Sequence, residues 1–332
     1  MMRVVSGIQP TGELHLGNYL GALRQWVALQ SEAECFFIVA DLHGITTPQD
    51  PTELRKQTVD TAALLLAIGI DPERSLFFLQ SRVPQHAELA WVLNCIATVG
   101  ELRRMVQFKE KSARGADNES TAGLFNYPVL QAADILLYQA NRVPIGEDQK
   151  QHLELTRTLA QRFNARYSEV FKVPEPLIRL EGARIMDLHD PRKKMSKSTK
   201  SPSRLIRLTD SPEAIRSKIA AATTDSGHEI RSSAEKPGIN NLITIYSLVA
   251  GSSREQTESK FSGKTYADFK TDLADTLVEY LRPFRERYER LRQDRGYVDR
   301  ILLEGSYRAQ STAIRTLATV YEHVGFLEPP GV

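Results

Sequence analysis

The stretch RVVSGIQPTGELHLGNYLGAL, residues 3–23, decides the fold of this chain. Its first six residues, RVVSGI, are a strand candidate, and the chain then turns through Pro10, Thr11 and Gly12. Beyond His15, apolar residues recur at helical spacing. A helix start carries unpaired N–H groups and the positive end of the helix dipole, and both favour an anion. Taken alone, the stretch favours an ordinary strand-to-helix turn, because short turns with glycine are common.

Four further runs of strand length follow, at residues 35–41, 75–81, 143–147 and 183–188. Segments with helical spacing, such as NYLGALRQWVALQ and PTELRKQTVDTAALLLAIG, lie between the early runs. This alternation predicts a mostly parallel, doubly wound α/β sheet. Ligands of such sheets bind beyond the carboxyl ends of the strands. We therefore expect SGIQP, ADLHG and IGEDQ, at the ends of the first, second and fourth runs, to lie around one cleft.

The strand-like runs stop near residue 200, and the remainder of the chain is predicted to be helical. The segment LADTLVEYLRPFRERYERLRQ, residues 273–293, has apolar residues at helical spacing. Pro283 is expected to kink or divide that helix. We place a domain boundary at residue 200, with an α/β domain at 1–200 and a helical region at 201–332.

Composition excludes several classes of protein. Of the 332 residues, 41% are hydrophobic and 25% charged, which is typical of a soluble globular protein. The net charge of +2 means that a polyanion would have to bind to a local patch. Cys35 and Cys95 lie in apolar runs, which argues against a disulfide framework or a cysteine zinc site. The start of the chain lacks a signal-peptide core, and no apolar run reaches the roughly 18 residues of a spanning helix. We expect a cytoplasmic protein with no membrane contact.

The stretch KKMSKS, Lys193 to Ser198, places three lysines within six residues. Lysine binds phosphate as a point charge on a flexible stem, so such a loop can hold a triphosphate and release it. A lysine-rich hexamer alone is usually a solvated basic loop. Downstream of a strand, a turn and an HLGN helix start in an α/β chain, the triphosphate interpretation is favoured.

Together these elements resemble the pair of motifs of class I aminoacyl-tRNA synthetases, a HIGH-type turn and a KMSKS loop. HLGN at 15–18 matches the first, with Asn18 in place of the last histidine. More narrowly, the chain resembles the bacterial tryptophanyl-tRNA synthetases. The segments that carry this resemblance are SGIQPTG, NYLGALRQW, QDPTELR at 49–55, AADILLY at 132–138, GEDQKQHLELTR at 146–157 and KKMSKS.

The resemblance implies a Rossmann-like catalytic domain that activates L-tryptophan with ATP and transfers it to tRNA(Trp). The amino-acid carboxylate is already ionised, so catalysis consists of positioning and of stabilising charge on pyrophosphate. Mg²⁺ is expected to be held mainly by the ATP phosphates, with no metal site in the protein. The catalytic residues implied are Lys194, Lys197, Lys111, His15 and Asn18. The ATP-binding residues implied are Gln9, Pro10, Thr11, Gly17, Asn18, Gly146, Glu147, Asp148, Ile185, Lys194, Met195, Ser196, Lys197 and Ser198. Lys109 and Lys111 fit a solvated helix face equally well.

Asp134 is the residue predicted to select the amino acid. It lies among alanine, isoleucine and leucine in a helical stretch, where an unpaired buried carboxylate is costly. A carboxylate in an apolar slot can accept the indole N–H and reject phenylalanine, which would leave it unpaired. By resemblance, the other tryptophan-binding residues are Tyr127, Gln149, His43, Gln131 and Val5.

The chain departs from the family pattern at Gln131, Val5, His15 and the pair Thr199–Lys200, where the family usually has Met, an aromatic residue, Thr and Asp. These departures leave room for an auxiliary isoform, although none removes a residue with a necessary role.

The helical region is implied to bind the tRNA anticodon. The segment from Arg282 to Arg300 contains seven arginines and four acidic residues, a positive balance that a solvated helix would also explain. The family acts as a homodimer, and a helical insert at about 104–140 is expected to contribute to the interface. The segment WVLNCIATVGELRRM fits an apolar interface helix, but burial in the core explains it equally well. The rival interpretations are a tyrosyl-tRNA synthetase, a pantetheine-phosphate adenylyltransferase and a non-catalytic synthetase-like protein.

Overall fold

The computed structural model describes residues 1–105, 121–146, 149–177, 184–197, 199 and 201–327. In these ranges a parallel sheet has the strand order β3-β2-β1-β4-β5. The order reverses between β1 and β4, which makes the carboxyl end of this strand pair the expected place for a ligand. The strands are β1 (Arg3–Ile8), β2 (Glu34–Val39), β3 (Leu76–Leu79), β4 (Arg142–Pro144) and β5 (Glu175–Leu177).

Four of the five predicted strands are confirmed, and the fifth is wrong. Residues 184–188 contain no strand, and residue 183 lies outside the described ranges. Met186 forms only an isolated antiparallel bridge, and its partner is Lys194. The segment 184–188 therefore pairs with the lysine-rich loop and not with the sheet. The fifth strand of the sheet is instead β5, a three-residue segment with a central proline that carries no strand pattern.

The helices lie between and after the strands. In the first half of the chain they are α1 (Leu16–Asn18), α2 (Arg24–Leu29), α3 (Asp41–Gly44), α4 (Pro51–Ala67), α5 (Gln85–Asn94), α6 (Val99–Arg103), α7 (Ala122–Leu136) and α8 (Lys150–Arg166). A π-helical segment, Tyr19–Leu23, joins α1 to α2. The later helices are α9 (Pro212–Ala220), α10 (Pro237–Ala250), α11 (Arg254–Lys260), α12 (Tyr266–Gln293) and α13 (Arg295–Val324). Short 3₁₀ segments lie at Gln80–Arg82 and Pro202–Arg204.

Both faces of the sheet are buried. Alternate residues of β2 point to opposite sides, so Phe36 and Ile38 join one apolar cluster and Phe37 and Val39 join the other. The first cluster includes residues of α5, α7 and α8, and the second includes residues of α4, α9, α10 and α12. A sheet covered on both faces explains why β2 is a continuous apolar run.

The long helix α13 covers the outer edge of the sheet. A Cβ built on Gly305 would lie 1.9 Å from the carbonyl oxygen of Phe77, so only glycine allows this approach. Ser306 Oγ accepts a hydrogen bond from the N–H of Leu79 at 3.4 Å. The helix thus protects β3, which would otherwise present an open strand edge.

The described residues beyond Ser201 contain helices and no strand, as predicted. Pro283 lies inside α12, which runs unbroken over 28 residues, so the proline does not divide the helix. Burial of the apolar face of α12 outweighs the single backbone hydrogen bond that proline removes. The domain boundary at residue 200 stays a prediction. No helix in the described ranges is long and apolar enough to cross a membrane.

Candidate active site

The turn after β1 is the first part of the site. Gly12 has a φ of +71°, a conformation that side-chain-bearing residues rarely adopt, and its N–H donates to Gln57 Oε1 at 3.3 Å. A Cβ built on Gly44 would lie 3.6 Å from Thr11 Cγ2. Helix α3, which follows β2, therefore packs directly against the turn that follows β1. The predicted meeting of SGIQP and ADLHG at one edge of the sheet is confirmed.

His15 caps the helix that begins in the HLGN motif. Its Nδ1 accepts from the N–H of Asn18 at 3.3 Å, and the Asn18 side chain accepts from the N–H of His15 at 3.2 Å. Burial, with the charges of Lys197 and Lys194, lowers the pKa of His15 to about 4. The imidazole is therefore neutral at pH 7. Because Nδ1 is an acceptor, its proton lies on Nε2, which is free to act as a donor.

The lysine-rich loop is anchored on this helix start by its methionine. Met195 is buried, and its N–H donates to the carbonyl oxygen of Ile185 at 3.0 Å. A Cβ built on Gly17 would lie 3.4 Å from Met195 Cβ, so the loop lies close against α1. Ser196 and Lys194, on either side of Met195, are exposed.

A neighbouring clamp holds the base of the same loop. Asn241, buried on α10, accepts from the N–H of Met186 at 2.9 Å and donates to its carbonyl oxygen at 3.0 Å. Met186 in turn forms the antiparallel bridge with Lys194. The helical region thus fixes the backbone that carries the first lysine of KMSKS.

Lys197 crosses from the loop to the turn after β1. Its Cβ would lie 3.3 Å from a Cβ built on Gly12, and its Nζ is 3.4 Å from the carbonyl oxygens of both Gln9 and Thr11. Burial lowers the pKa of Lys197 to about 8. Two segments that lie 186 to 188 residues apart in sequence therefore meet, with a cation over the turn at the carboxyl end of β1.

Asp134 lies in α7 with only 6% of its surface exposed. Its Oδ1 accepts from Gln80 Nε2 at 2.7 Å and from His86 Nδ1 at 2.6 Å, and its Oδ2 accepts from His43 Nε2 at 2.8 Å. Burial raises the pKa of Asp134, but His43 and His86 outweigh it and hold this pKa well below its ordinary value. A carboxylate has about four lone-pair sites, so three donors leave one acceptor position.

The remaining residues predicted to bind tryptophan lie on the same helix or pack near it. Tyr127 donates or accepts at 2.8 Å with His152 Nε2, and its ring meets the ring of His43 edge-on at 6.3 Å. Gln131 Nε2 donates to Gln149 Oε1 at 3.3 Å, which connects α7 to the start of α8. Val5 is buried in the sheet core, in the same apolar cluster as residues of α7.

Some of the other predicted site residues lie within the described ranges, and some lie outside them. Pro10 is buried in the turn after β1. The carbonyl oxygen of Gly146, which follows β4, accepts from the N–H of Gln149 at 3.0 Å. Ile185 is buried, with its carbonyl oxygen bonded to Met195. Lys109, Lys111, Glu147, Asp148, Ser198 and Lys200 lie outside the described residues.

Gln80 and His86, the two donors to Asp134 Oδ1, were not predicted from the sequence. Gln80 comes directly after β3, at the edge where the carboxyl ends of β1 and β2 also lie. That position was the available signal, because polar residues following parallel strands meet at one edge. His86 carried no signal, since it occupies the first turn of α5 and reaches Asp134 only through tertiary packing.

Residues 1–282 match the family described as tRNA synthetases class I (W and Y). The chain belongs to this family. "Tryptophan--tRNA ligase 2" of Streptomyces avermitilis is 55% identical over 98% of this chain and 97% of its own length. The crystal structure of tryptophanyl-tRNA synthetase from Mycoplasma pneumoniae has a TM-score of 0.88 at 39% identity, covering 98% of both chains. That of the Campylobacter jejuni enzyme complexed with ADP and tryptophan has a TM-score of 0.85 at 34% identity, covering 98% of this chain and all of that one. The predicted class I synthetase fold is confirmed.

Proposed function

We propose that this synthetase is a tryptophan–tRNA ligase that works in two steps. An oxygen of the tryptophan carboxylate attacks the α-phosphorus of ATP, the bond to the β-phosphate breaks, and tryptophanyl-adenylate and pyrophosphate form. The 3′ end of tRNA(Trp) then takes the tryptophanyl group and AMP leaves. The 55% identity to a named tryptophan–tRNA ligase over nearly the whole chain supports this function over the tyrosyl alternative.

The observation that carries the activation step is the contact of Lys197 with the turn after β1. Its ammonium lies 3.4 Å from the carbonyl oxygens of Gln9 and Thr11, beside the start of α1. A cation there stabilises the charge that develops on the leaving pyrophosphate. Lys194, exposed on the same loop, supplies a second charge, and the proton on His15 Nε2 supplies a neutral donor.

ATP is proposed to bind along the residues named from the sequence, with the lysine-rich loop over its phosphates. Within the described residues, no group of three or more His, Cys, Asp or Glu side chains is arranged to hold a metal ion. We propose that Mg²⁺ arrives with ATP and is held mainly by phosphate oxygens, where it neutralises part of their charge.

Tryptophan is proposed to place its indole N–H on the remaining lone pair of Asp134. Phenylalanine in the same pocket would leave this buried carboxylate one partner short, which costs more than the lost contact itself. Tyr127 and Gln149 are proposed at the substrate ammonium group, His43 and Val5 near the ring, and Gln131 beside Gln149.

The helical region at 201–332 is proposed to bind the tRNA anticodon, in a cytoplasmic homodimer. Exposed side chains of α5, α6 and the segment between them support an interface. Trp91 is 69% exposed, Val99 is 57% exposed, and Cys95 between them is also exposed. Exposed apolar surface of this kind is typical of a contact with another protein where the side chains adjoin.

Pyrophosphate exchange tests the proposal. Amino-acid-dependent exchange between ATP and pyrophosphate is measured with Mg²⁺ and without tRNA, separately with tryptophan, tyrosine and phenylalanine. Exchange with tryptophan alone is expected. Exchange with tyrosine alone would favour the tyrosyl alternative, and no exchange with any of the three would favour the non-catalytic one.

A further inference from the structure

The two oxygens of Asp134 are not equivalent. Oδ1 accepts two hydrogen bonds, from Gln80 Nε2 and His86 Nδ1, and Oδ2 accepts one, from His43 Nε2. An sp² oxygen offers two lone pairs, so Oδ1 is saturated and the remaining acceptor position belongs to Oδ2.

The orientation of Gln80 is fixed by the carboxylate it contacts. Its side chain is fully buried, and Oε1 has no hydrogen-bond partner among the described residues. Turning the amide would place Oε1 against the negative Oδ1 of Asp134, which is repulsive. Gln80 therefore presents its NH₂ group to Asp134.

The proton position on His86 follows from Tyr138. Both side chains are fully buried, and His86 Nε2 lies 2.8 Å from the Tyr138 hydroxyl oxygen. Buried donors require acceptors, and the Tyr138 proton is satisfied when it points at an unprotonated Nε2. Burial and the charge of Asp134 raise the pKa of Tyr138 well above its ordinary value, so the hydroxyl keeps its proton. The imidazole proton then lies on Nδ1 and points at Asp134.

We propose that His86, oriented by Tyr138, acts with Gln80 to saturate Asp134 Oδ1 and so reserves Oδ2 for the indole N–H of tryptophan. His86 and Tyr138 are positioning residues, since they act through Asp134 and do not touch the substrate. Saturation of one oxygen fixes the plane of the carboxylate and the direction of its last lone pair before tryptophan arrives. This inference rests on the proposed role of Asp134.

Two substitutions of His86 separate its two hydrogen bonds. The amide nitrogen of asparagine can replace Nδ1, so His86→Asn keeps the donor to Asp134 and loses the contact with Tyr138. The amide of the longer glutamine replaces Nε2, so His86→Gln keeps the contact with Tyr138 and leaves Oδ1 with Gln80 as its one donor among the described residues. Both variants are polar and similar in size, and each serves as the matched control for the other.

The readouts are KM for tryptophan, KM for ATP, kcat of pyrophosphate exchange and the thermal midpoint of unfolding. We expect His86→Gln to raise the tryptophan KM at least tenfold and to reduce discrimination against phenylalanine, with the ATP KM unchanged. His86→Asn is expected to stay within about threefold of the unsubstituted protein. Equal tryptophan KM values for the two variants would overturn the proposal, as would a lower thermal midpoint with no change in KM.

If His86→Gln does not fold, the Tyr138→Phe variant tests the proposal instead. It removes only the hydroxyl that fixes the imidazole proton, and we expect a rise of several-fold in tryptophan KM with an unchanged ATP KM. An unchanged tryptophan KM in this variant would overturn the role of Tyr138 and His86. The unsubstituted protein separates failure of this inference from failure of the proposed function. If it does not exchange pyrophosphate with tryptophan, the proposed function itself is refuted.

Discussion

Raising the pH from 7 to 9 should weaken ATP binding by this synthetase about sevenfold, and the Lys197→Met variant should not show this loss. The reason lies in the position of Lys197, whose ammonium is drawn out of water and lies against the carbonyl oxygens of Gln9 and Thr11. Burial lowers its pKa to about 8, so the charge is present below that pH and is lost above it.

The magnitude follows from the charged fraction and the strength of one hydrogen bond to a charged group. With a pKa of about 8, about nine-tenths of the molecules carry the charge at pH 7 and about one-tenth at pH 9. A charge-assisted hydrogen bond to phosphate contributes about 2 kcal/mol, or a factor of about 30 in affinity. Weighting the affinities of the two protonation states by their populations gives a loss of ATP affinity of about sevenfold between pH 7 and pH 9.

Isothermal titration calorimetry with MgATP at pH 7, 8 and 9 measures this effect without relying on catalysis. At pH 8 about half of the molecules take up a proton on binding, so the observed enthalpy should depend on the ionisation enthalpy of the buffer. Lys197→Met should bind ATP more weakly at pH 7 and lack that dependence on buffer. An equal loss of affinity in both proteins, or no proton uptake by the unsubstituted one, would refute the reasoning.

Three further predictions concern the clamp, the sheet edge and the metal. Asn241→Leu should lower kcat of pyrophosphate exchange about tenfold, because both backbone groups of Met186 lose buried partners beside the KMSKS loop. Asn240→Leu is the matched control, since Asn240 makes the same pair of bonds to Ser233; an equal fall in kcat would mean general destabilisation. Gly305→Ala should lower the free energy of unfolding by about 1–3 kcal/mol, since its Cβ would overlap the Phe77 carbonyl. Urea denaturation checks this against Gly296→Ala, whose Cβ meets only ordinary contacts; equal values would contradict the overlap. Chelating Mg²⁺ with EDTA should abolish exchange and leave the tryptophan Kd unchanged, because the proposed tryptophan contacts are all protein side chains; a weaker tryptophan Kd in calorimetry would contradict this.

Strong, continuous apolar runs made most of the sheet predictable. The apolar run that begins at Cys35 contains all of β2 except its first residue, since a strand buried on both faces is apolar along its length. The short strands were harder to predict. β5 pairs with β4 through only three residues, and its sequence, EPL, contains no periodicity that could be recognised. The segment 184–188 has the composition of a strand, but it pairs with a loop, and only tertiary structure decides that choice.

The candidate site was predictable where it lies in contiguous motifs. The pairing of the HLGN helix start with KMSKS followed from the resemblance, although the anchoring role of Met195 emerged only from its burial. For Asp134, apolar neighbours predicted a buried carboxylate. They could not predict that three side chains from separate elements already bond to it, because such convergence depends on how α5 and α7 pack.

The cover that α13 provides for β3 has a consequence for how the chain is synthesised. Leu79 and Ser306, which hydrogen-bond in the finished protein, are 227 residues apart. At 5–20 residues per second, a ribosome needs roughly 10–45 s to make the intervening chain. Throughout that interval the backbone groups of β3 stay available to strands of other nascent chains. The outer edge of β3 is thus covered only after nearly the whole chain has been made.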